Sequence, residues 1–484
     1  MGGSLRLSFG LMSDQEAPAT SGCPECARLR RELDVALRRI AELEALVHEL
    51  RLRLDRNAST SSIPPSANPP GAPKPVVKPR SRRQRGGQPG HPGYFRRRLP
   101  PERVDAVVDH IPESCAACHA PLPVEPTPGD LEPTWHQLAE IPEPAVIITE
   151  HRGHARTCPS CGEVTRAAIP EPITAHVIGP RLAALMSYLV GRHHLSRRGV
   201  QEFVEDALGV PISLGTVGAL ERQTAAALAA AHDEAGEAVR TAPARNVDET
   251  GWKQAGQKRW LWAAATATVA FFVIHARRNW EGLKALLGEA ITGIVCSDRW
   301  GTYNRLPPEQ RQVCWAHLDR DFRKCVDRGG EAEVIGRAGQ EASAKLFAAW
   351  WDFRRRKIDR EGLQAVLDPV AGAFRAALER GCGCADSKAA TFCENLLALY
   401  PALWLFAACE GVEPTNNHAE RIVRGGVLWR KNAFGSHSEE GCRFAERMLT
   451  VVQTLRLQHR SVLAYLEQAI TAHRHGEPAP KLLG

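Results

Sequence analysis

Between residues 26 and 56 the apolar positions fall on a seven-residue repeat. Leu33, Ile40, Val47 and Leu54 form one seam, and Leu29, Ala36, Leu43 and Leu50 form the other. Arg, Glu and Asp fill the positions between, so the apolar stripe is narrow. That is the pattern of helices that pair with each other, the alternative being one amphipathic helix packed on its own protein. No second apolar segment lies nearby in sequence to cover the stripe, so 26–56 is expected to form a coiled coil joining two copies of the chain. Residues 1–25 are read as a disordered N-terminus. Residues 57–101, rich in Ser, Pro and Arg, read as an extended linker.

Further along, the pattern alternates between helix and strand. Residues 173–240 read as helical, and within them "LSRRGVQEFVEDALGVPISLGTVGALERQ" divides into a helix, a turn at "GVPIS" and a second helix starting at Ser213. Such a helix-turn-helix-like pair reads DNA in some proteins and is plain packing in others. From residue 244 four apolar runs, "ARNVDETGW", "KRWLWAAATA", "VAFFVIHARR" and "GIVCSDRW", read as strands, with the helix-like "NWEGLKALLGEA" before the last. The stretch "WLWAAATATVAFFVI" is too short to span a bilayer and reads as two buried strands joined by a turn. The expected architecture is a multidomain α/β protein. After the linker come a small domain at 102–172, the helical region, a strand-rich part at 241–325 and a helical insertion at 326–412. A helix and loop follow at 413–445, and a C-terminal helical region at 446–484.

Composition adds a partner. The net charge is only +7 over 484 residues, but residues 71–98 carry Lys74, Lys78, Arg80, Arg82, Arg83, Arg85, Arg96, Arg97 and Arg98 with no acidic residue. A basic run of this kind favours a polyanion, most often nucleic acid. The first residues lack the sustained apolar core of a secretory signal; of the fourteen cysteines two pairs are in metal spacing and most of the others lie singly in apolar surroundings. A cytoplasmic protein with no membrane partner is expected.

Two cysteine pairs stand apart from the rest: "CAAC" (Cys115, Cys118) and "CPSC" (Cys158, Cys161). Each pair can present two thiolates to one tetrahedral Zn²⁺, with His119 or His154 as substitutes for one ligand. Four protein ligands leave no open position, so this zinc would be structural. A third pair, Cys23 and Cys26, has no partner pair close by.

The catalytic candidates are carboxylates. Adjacent residues of a strand point to opposite faces, so only one of Asp248 and Glu249 can join a shared site. The fourth run also ends on a carboxylate, Asp298. If the first and fourth strands are neighbours, Asp248 and Asp298 lie side by side, and two close carboxylates do not both stay ionised without a cation. Oxygen ligands suit Mg²⁺ or Mn²⁺. In "TNNHAERIVR" the residues Asn416, Glu420 and Arg424 recur every four residues and share a helix face, which offers Glu420 as a third ligand among amides and guanidiniums that suit phosphate contact.

The order Asp248, Asp298, then Glu420 after a long helical insertion resembles the DDE transposases. More narrowly, "GGQPGHPG", "CAAC…CPSC", "VDETGW", "SDRWGTY", "CWAHLDRDF" and "NNHAERIVRGGVLWRKNAFGSHSEEG" resemble transposases of insertion-sequence family sixty-six, nearly from the heptad to the C-terminus. The resemblance implies a ribonuclease-H-like catalytic domain in which Asp248, Asp298 and Glu420 hold two Mg²⁺ or Mn²⁺ ions for DNA cleavage and strand transfer. It implies DNA as partner, both the terminal inverted repeats and the target, with the zinc module and helical pair reading the ends. It also implies a homodimer through the coiled coil, accessory proteins of the same element, and a nucleoid-associated bacterial location. Arg82, Arg83, Arg85, His317, Arg320, Arg421, Arg424, Arg430 and Lys431 are the candidate DNA contacts, although His317 equally suits a packed helix. Trp252 and Trp300 suit the core better than base stacking. Two rivals share these residues: a metal-dependent nuclease on the same fold, and a zinc-containing DNA-binding regulator with an idle catalytic domain. A thiol oxidoreductase is disfavoured, because two of the three pairs bracket one metal site.

Overall fold

A computed structural model describes residues 24–54, 98–128, 130–140 and 146–484. The expected N-terminal disorder, nearly all of the basic linker with Arg82, Arg83 and Arg85, and Cys23 lie outside the described residues. The chain forms two compact units, Met1–Arg80 and Ser81–Gly484.

In the first unit, α1 runs from Pro24 to Leu54, about 46 Å at the usual helical rise. Leu29, Leu33, Ile40, Leu43 and Val47 along its seams are all exposed, Leu33 to 58%. Arg28 and Arg39 pair with Glu25, Glu32 and Glu42 one turn away, which supports the helix on its polar side.

The second unit begins with little regular structure. The hairpin β1 (Ala155–Thr157) and β2 (Val164–Arg166) is antiparallel. Helices α2 (Glu171–Thr174), α3 (Pro180–His193), α4 (Arg197–Leu208), α5 (Leu214–Ala227) and α6 (Ala229–Thr241) follow. Ser196 and Ser213 cap α4 and α5, their hydroxyls accepting from Gly199 and Thr216 N–H.

Then comes a five-stranded sheet of β3 (Ala244–Gln254), β4 (Gln257–Ala265), β5 (Ala270–His275), β6 (Ile294–Ser297) and β7 (Arg311–Val313), in the order β5-β4-β3-β6-β7. The first three pair antiparallel; β3, β6 and β7 pair parallel. Helix α7 (Trp280–Leu287) joins β5 to β6. The long apolar stretch is indeed two strands, turning at Thr266, whose N–H donates to Val269 O. The sequence reading missed β7, because three residues are too few to show alternation.

Helices α8 (Trp315–Arg328), α9 (Gly330–Arg354), α10 (Arg360–Gly381), α11 (Ser387–Ala398) and α12 (Leu405–Ala408) surround a second core. Its centre is Trp315, fully buried against Phe322, Phe374 and Trp404, with its indole N–H on Leu403 O at 2.7 Å. The chain returns to the sheet through α13 (Asn417–Ala433), α14 (Glu439–Leu457) and α15 (Val462–His475). Among the described residues no helix is long and apolar enough to cross a membrane.

Strand β5 is a sheet edge, and α14 closes it. The N–H groups of Ala270, Phe272 and Ile274 donate to Thr454 Oγ1, Thr450 Oγ1 and Glu446 Oε1. Side chains four apart on a helix recur about every 6 Å and alternate strand residues about every 6.6 Å, so three successive pairs stay in step. Edge donors that would otherwise recruit a foreign strand are thereby satisfied. Burial raises the Glu446 carboxyl to about 7, from an ordinary value near 4.5.

Thr450→Val keeps the shape but leaves the Phe272 N–H buried and unpaired. It is expected to cost about 1–3 kcal/mol and to speed amide exchange at Phe272. The folded chain holds the Glu446 proton more tightly than the unfolded chain. Stability from this group is therefore full below about pH 4.5 and lost as pH rises through about 7. Denaturation of wild type and Glu446→Gln at pH 5 and 8 should show the variant gaining relative stability at the higher pH.

Candidate active site

The last residue couple that β3 and β6 share in parallel register is Asn246 with Cys296. Two residues on from that couple stand Asp248, in the middle of β3, and Asp298, just past the end of β6, on neighbouring strands. The turn after β6 is held firmly. Asp298 Oδ1 accepts from Trp300 N–H at 2.9 Å, and the Asp298 carbonyl accepts from Arg311 Nη2 at 2.8 Å and Ser297 Oγ at 2.9 Å. Arg311 is fully buried and also donates to Asn304 Oδ1 at 2.6 Å. Burial lowers its guanidinium to about 10.

Asp248 and Glu249 part company as strand alternation requires. Glu249, its side chain only 2% exposed, pairs with Arg278 and accepts from Tyr303 Oη at 2.6 Å. Asp248 has no basic partner among the described residues. Its Oδ1 accepts only the Glu249 N–H, at 2.9 Å. Burial first, then the charge of Glu249, with Glu420 and Asp298 adding in the same direction, push its carboxyl up to about 7. A carboxylate in this position is short of positive charge.

Glu420 arrives from α13, and Asn416 sets its place. Asn416 is buried; its Nδ2 donates to Val247 O at 2.7 Å, its Oδ1 accepts from Asn246 Nδ2 at 3.0 Å, and its N–H donates to Cys314 Sγ at 3.1 Å. Asn416 therefore ties helix to strand and is not free for phosphate contact, contrary to the sequence reading. One turn on, Glu420 is left partly exposed beside His317, whose Nδ1 lies 3.6 Å from Glu420 Oε1. Burial and Arg320 lower the His317 pKa against the opposing pull of Glu420 and Asp298. A side chain at Gly426 would overlap Leu261, so close seating of α13 on β4 needs glycine there.

The donor atoms of Cys314, His317 and Glu420 lie within 4.8 Å of one another; the three carboxylates by themselves do not close to that span. Asp248, Asp298 and Glu420 nonetheless share one field, since both other charges act on Asp248. The set is acidic, and Asp248 makes no ion pair among the described residues, a donor chemistry that would suit oxygen-seeking divalent ions.

Among the candidate DNA contacts, Arg320, Arg421, Arg424 and Lys431 are exposed and make no ion pair among the described residues. Arg430 is partly buried and donates to Gly251 O of β3. Trp252 is buried edge-on to Trp429, and Trp300 lies under the Arg278 guanidinium at 4.2 Å; both are packing residues. Sequence reasoning missed Arg278, Tyr303 and Arg311, which carry no local signature. It quoted Cys314 in "CWAHLDRDF" without assigning it.

The two cysteine pairs form matching turns. The N–H of Cys115 donates to Ala120 O and that of His119 to Cys115 O, and the same bonds link Cys158 to Glu163 and Gly162 to Cys158. The residue after each pair, His119 or Gly162, has positive φ, 59° and 77°. Backbone N–H groups, led by Cys118 and Ser160, lower the Cys115 and Cys158 thiol pKa values. Each turn thus favours a thiolate, but among the described residues no three of the four sulfurs come within 4.8 Å of one another.

Over 252 residues the chain is 24% identical to the uncharacterized protein y4qI of Sinorhizobium fredii (strain NBRC 101917 / NGR234), covering 46% of each. The chain thus spans about half the length of that curated relative. The family model described as "Transposase IS66 family" matches residues 176–444, more than half of the chain, and includes Asp248, Asp298 and Glu420. With more than half of its length inside that match, the chain belongs to the transposase IS66 family.

Proposed function

We propose that this chain is a DDE transposase. It binds the terminal inverted repeats of an insertion sequence and catalyses metal-dependent cleavage and strand transfer at Asp248, Asp298 and Glu420. One observation carries the reading: Asp248 is partly buried within the field of Glu420 and Asp298 and makes no ion pair among the described residues, while its neighbour Glu249 pairs with Arg278 and Tyr303. Two Mg²⁺ or Mn²⁺ ions, when bound, supply the Lewis acidity that activates a water or 3′-hydroxyl and stabilises the leaving oxygen.

The chain's own residues do the rest. Asp248 offers oxygens from the middle of β3 and Asp298 from just past the end of the neighbouring β6, and Glu420 closes the site from a helix pinned by Asn416. Exposed Arg320, Arg421, Arg424 and Lys431 supply phosphate contacts around it. The mixed sheet, with Asp248 on β3 and Asp298 just after the neighbouring parallel strand β6, supports a ribonuclease-H-like catalytic domain interrupted by helices. The uncovered seam of α1 supports a coiled-coil dimer that brings two DNA ends together. The matching turns at Cys115 and Cys158 support a structural zinc module, and α4 with α5 a DNA-reading pair. Arg82, Arg83 and Arg85 would add salt-dependent affinity. Accessory proteins of the same element are further expected partners.

The deciding experiment offers purified protein, Mg²⁺ and pre-cut DNA ends from the flanks of its own gene to a plasmid target. Wild type is expected to join the ends and Asp298→Asn to bind them without joining; equal joining by both would remove Asp298 from the site. In the same assay Asp248→Asn should abolish joining. Glu249→Gln keeps an acceptor for Tyr303, so its main effect should be a stability loss of about 1–3 kcal/mol, with joining retained. Equal loss of joining in the two variants would contradict the assignment of Asp248 over Glu249.

A further inference from the structure

Cys314 caps the start of α8 and His317 lies one turn into it, so the two share a side of the helix. Glu420 reaches them from α13, brought close because the Asn416 N–H rests on Cys314 Sγ. The donor atoms of all three lie within 4.8 Å of one another. His317 Nδ1 is buried with no hydrogen-bond partner, although Glu420 Oε1 is 3.6 Å away. An unsatisfied buried polar atom costs about 1–3 kcal/mol, and a neutral ring nitrogen with a free lone pair is a metal ligand. A sulfur, an imidazole nitrogen and a carboxylate oxygen make a mixed set. It suits Zn²⁺ or Co²⁺, at bonds of about 2.0–2.3 Å. Mg²⁺ prefers oxygen throughout and gives up its waters reluctantly, so this set serves it poorly.

We propose that Cys314, His317 and Glu420 form a transition-metal site of zinc type that shares Glu420 with the carboxylate trio, and that zinc bound there inhibits strand transfer by withdrawing Glu420. The inhibition rests on the functional reading above; the binding rests on the three donors alone. On binding, the Cys314 thiol releases its proton to solvent, and the thiolate, imidazole nitrogen and carboxylate oxygen bond to the ion. The fourth tetrahedral position is left to water. The two uses of Glu420 compete, so free zinc sets the fraction of protein able to hold the catalytic pair.

The test titrates metal-free full-length protein with Co²⁺, a spectroscopic substitute for zinc, and follows sulfur-to-cobalt absorption in the near ultraviolet. A component is expected that disappears in Cys314→Ser, disappears or shifts in His317→Gln, and persists in Cys115→Ser, which reports the separate cysteine pairs. Titration curves identical for wild type, Cys314→Ser and His317→Gln, with all three folded by circular dichroism, would overturn the site. In the Mg²⁺-dependent joining assay, the zinc concentration that halves each protein's own zinc-free rate should rise at least about tenfold in Cys314→Ser. An unchanged zinc sensitivity would overturn the inhibition. A Cys314-dependent cobalt signal in a protein that joins no DNA would leave the metal site standing and count against the transposase reading instead.

Discussion

The amide of Asn416 accepts from Asn246 and donates to Val247 O, tying the head of α13 to the strand that carries Asp248 across 169 residues of sequence. With Asn416 only 1% exposed, these bonds form away from water, where an unmade partner is expensive and geometry is strictly held. Its own N–H rests on Cys314 at the head of α8. One residue therefore sets three things: the height of Glu420 above the sheet, the approach of the inserted helices, and the meeting of Cys314 and His317 with Glu420. If the amide were lost, α13 would keep its apolar packing on Leu261, but the register of its first turn would be free.

The charges around this joint divide into two classes. Glu249 and Arg311 are buried and fully engaged, with Arg278, Tyr303, Asn304 and the Asp298 carbonyl as partners. They shape the turns that carry the site. Asp248 is partly buried without such a partner, and Glu420 stays partly open to solvent. A fold that balances some ionic groups carefully and leaves others short of a counter-charge has placed the deficit where a ligand is expected.

Two cores meet at the sheet. One lies under the sheet and the terminal helices, and the other, around Trp315, belongs to the inserted helices and touches the sheet through Cys296 and Val313. The parallel strands β6 and β7 face the second core, while the antiparallel edge at β5 is closed by Glu446, Thr450 and Thr454 of α14. Glu420 of α13 and His317 of α8 meet where the chain passes from the sheet to the helices of the second core and back.

Local periodicity alone determined much of this. A period of two placed Asp248 and Glu249 on opposite faces and divided the long apolar stretch into two strands. A period of seven marked the seams of α1, and the serine before a helical run marked the start of α5. These features depend on neighbours in sequence, so they are readable there. Tertiary structure decided which distant groups meet: Asn416 with Asn246, Arg430 with Gly251, Arg311 with the Asp298 carbonyl, and Cys314 and His317 with Glu420. The same amide or guanidinium is equally suited to a phosphate or to a backbone carbonyl, and only burial and the position of a partner far along the chain select between them. For that reason Asn416, read as a phosphate contact in the sequence, proves to be a joint of the fold, while Arg430 gives one N–H to a strand carbonyl.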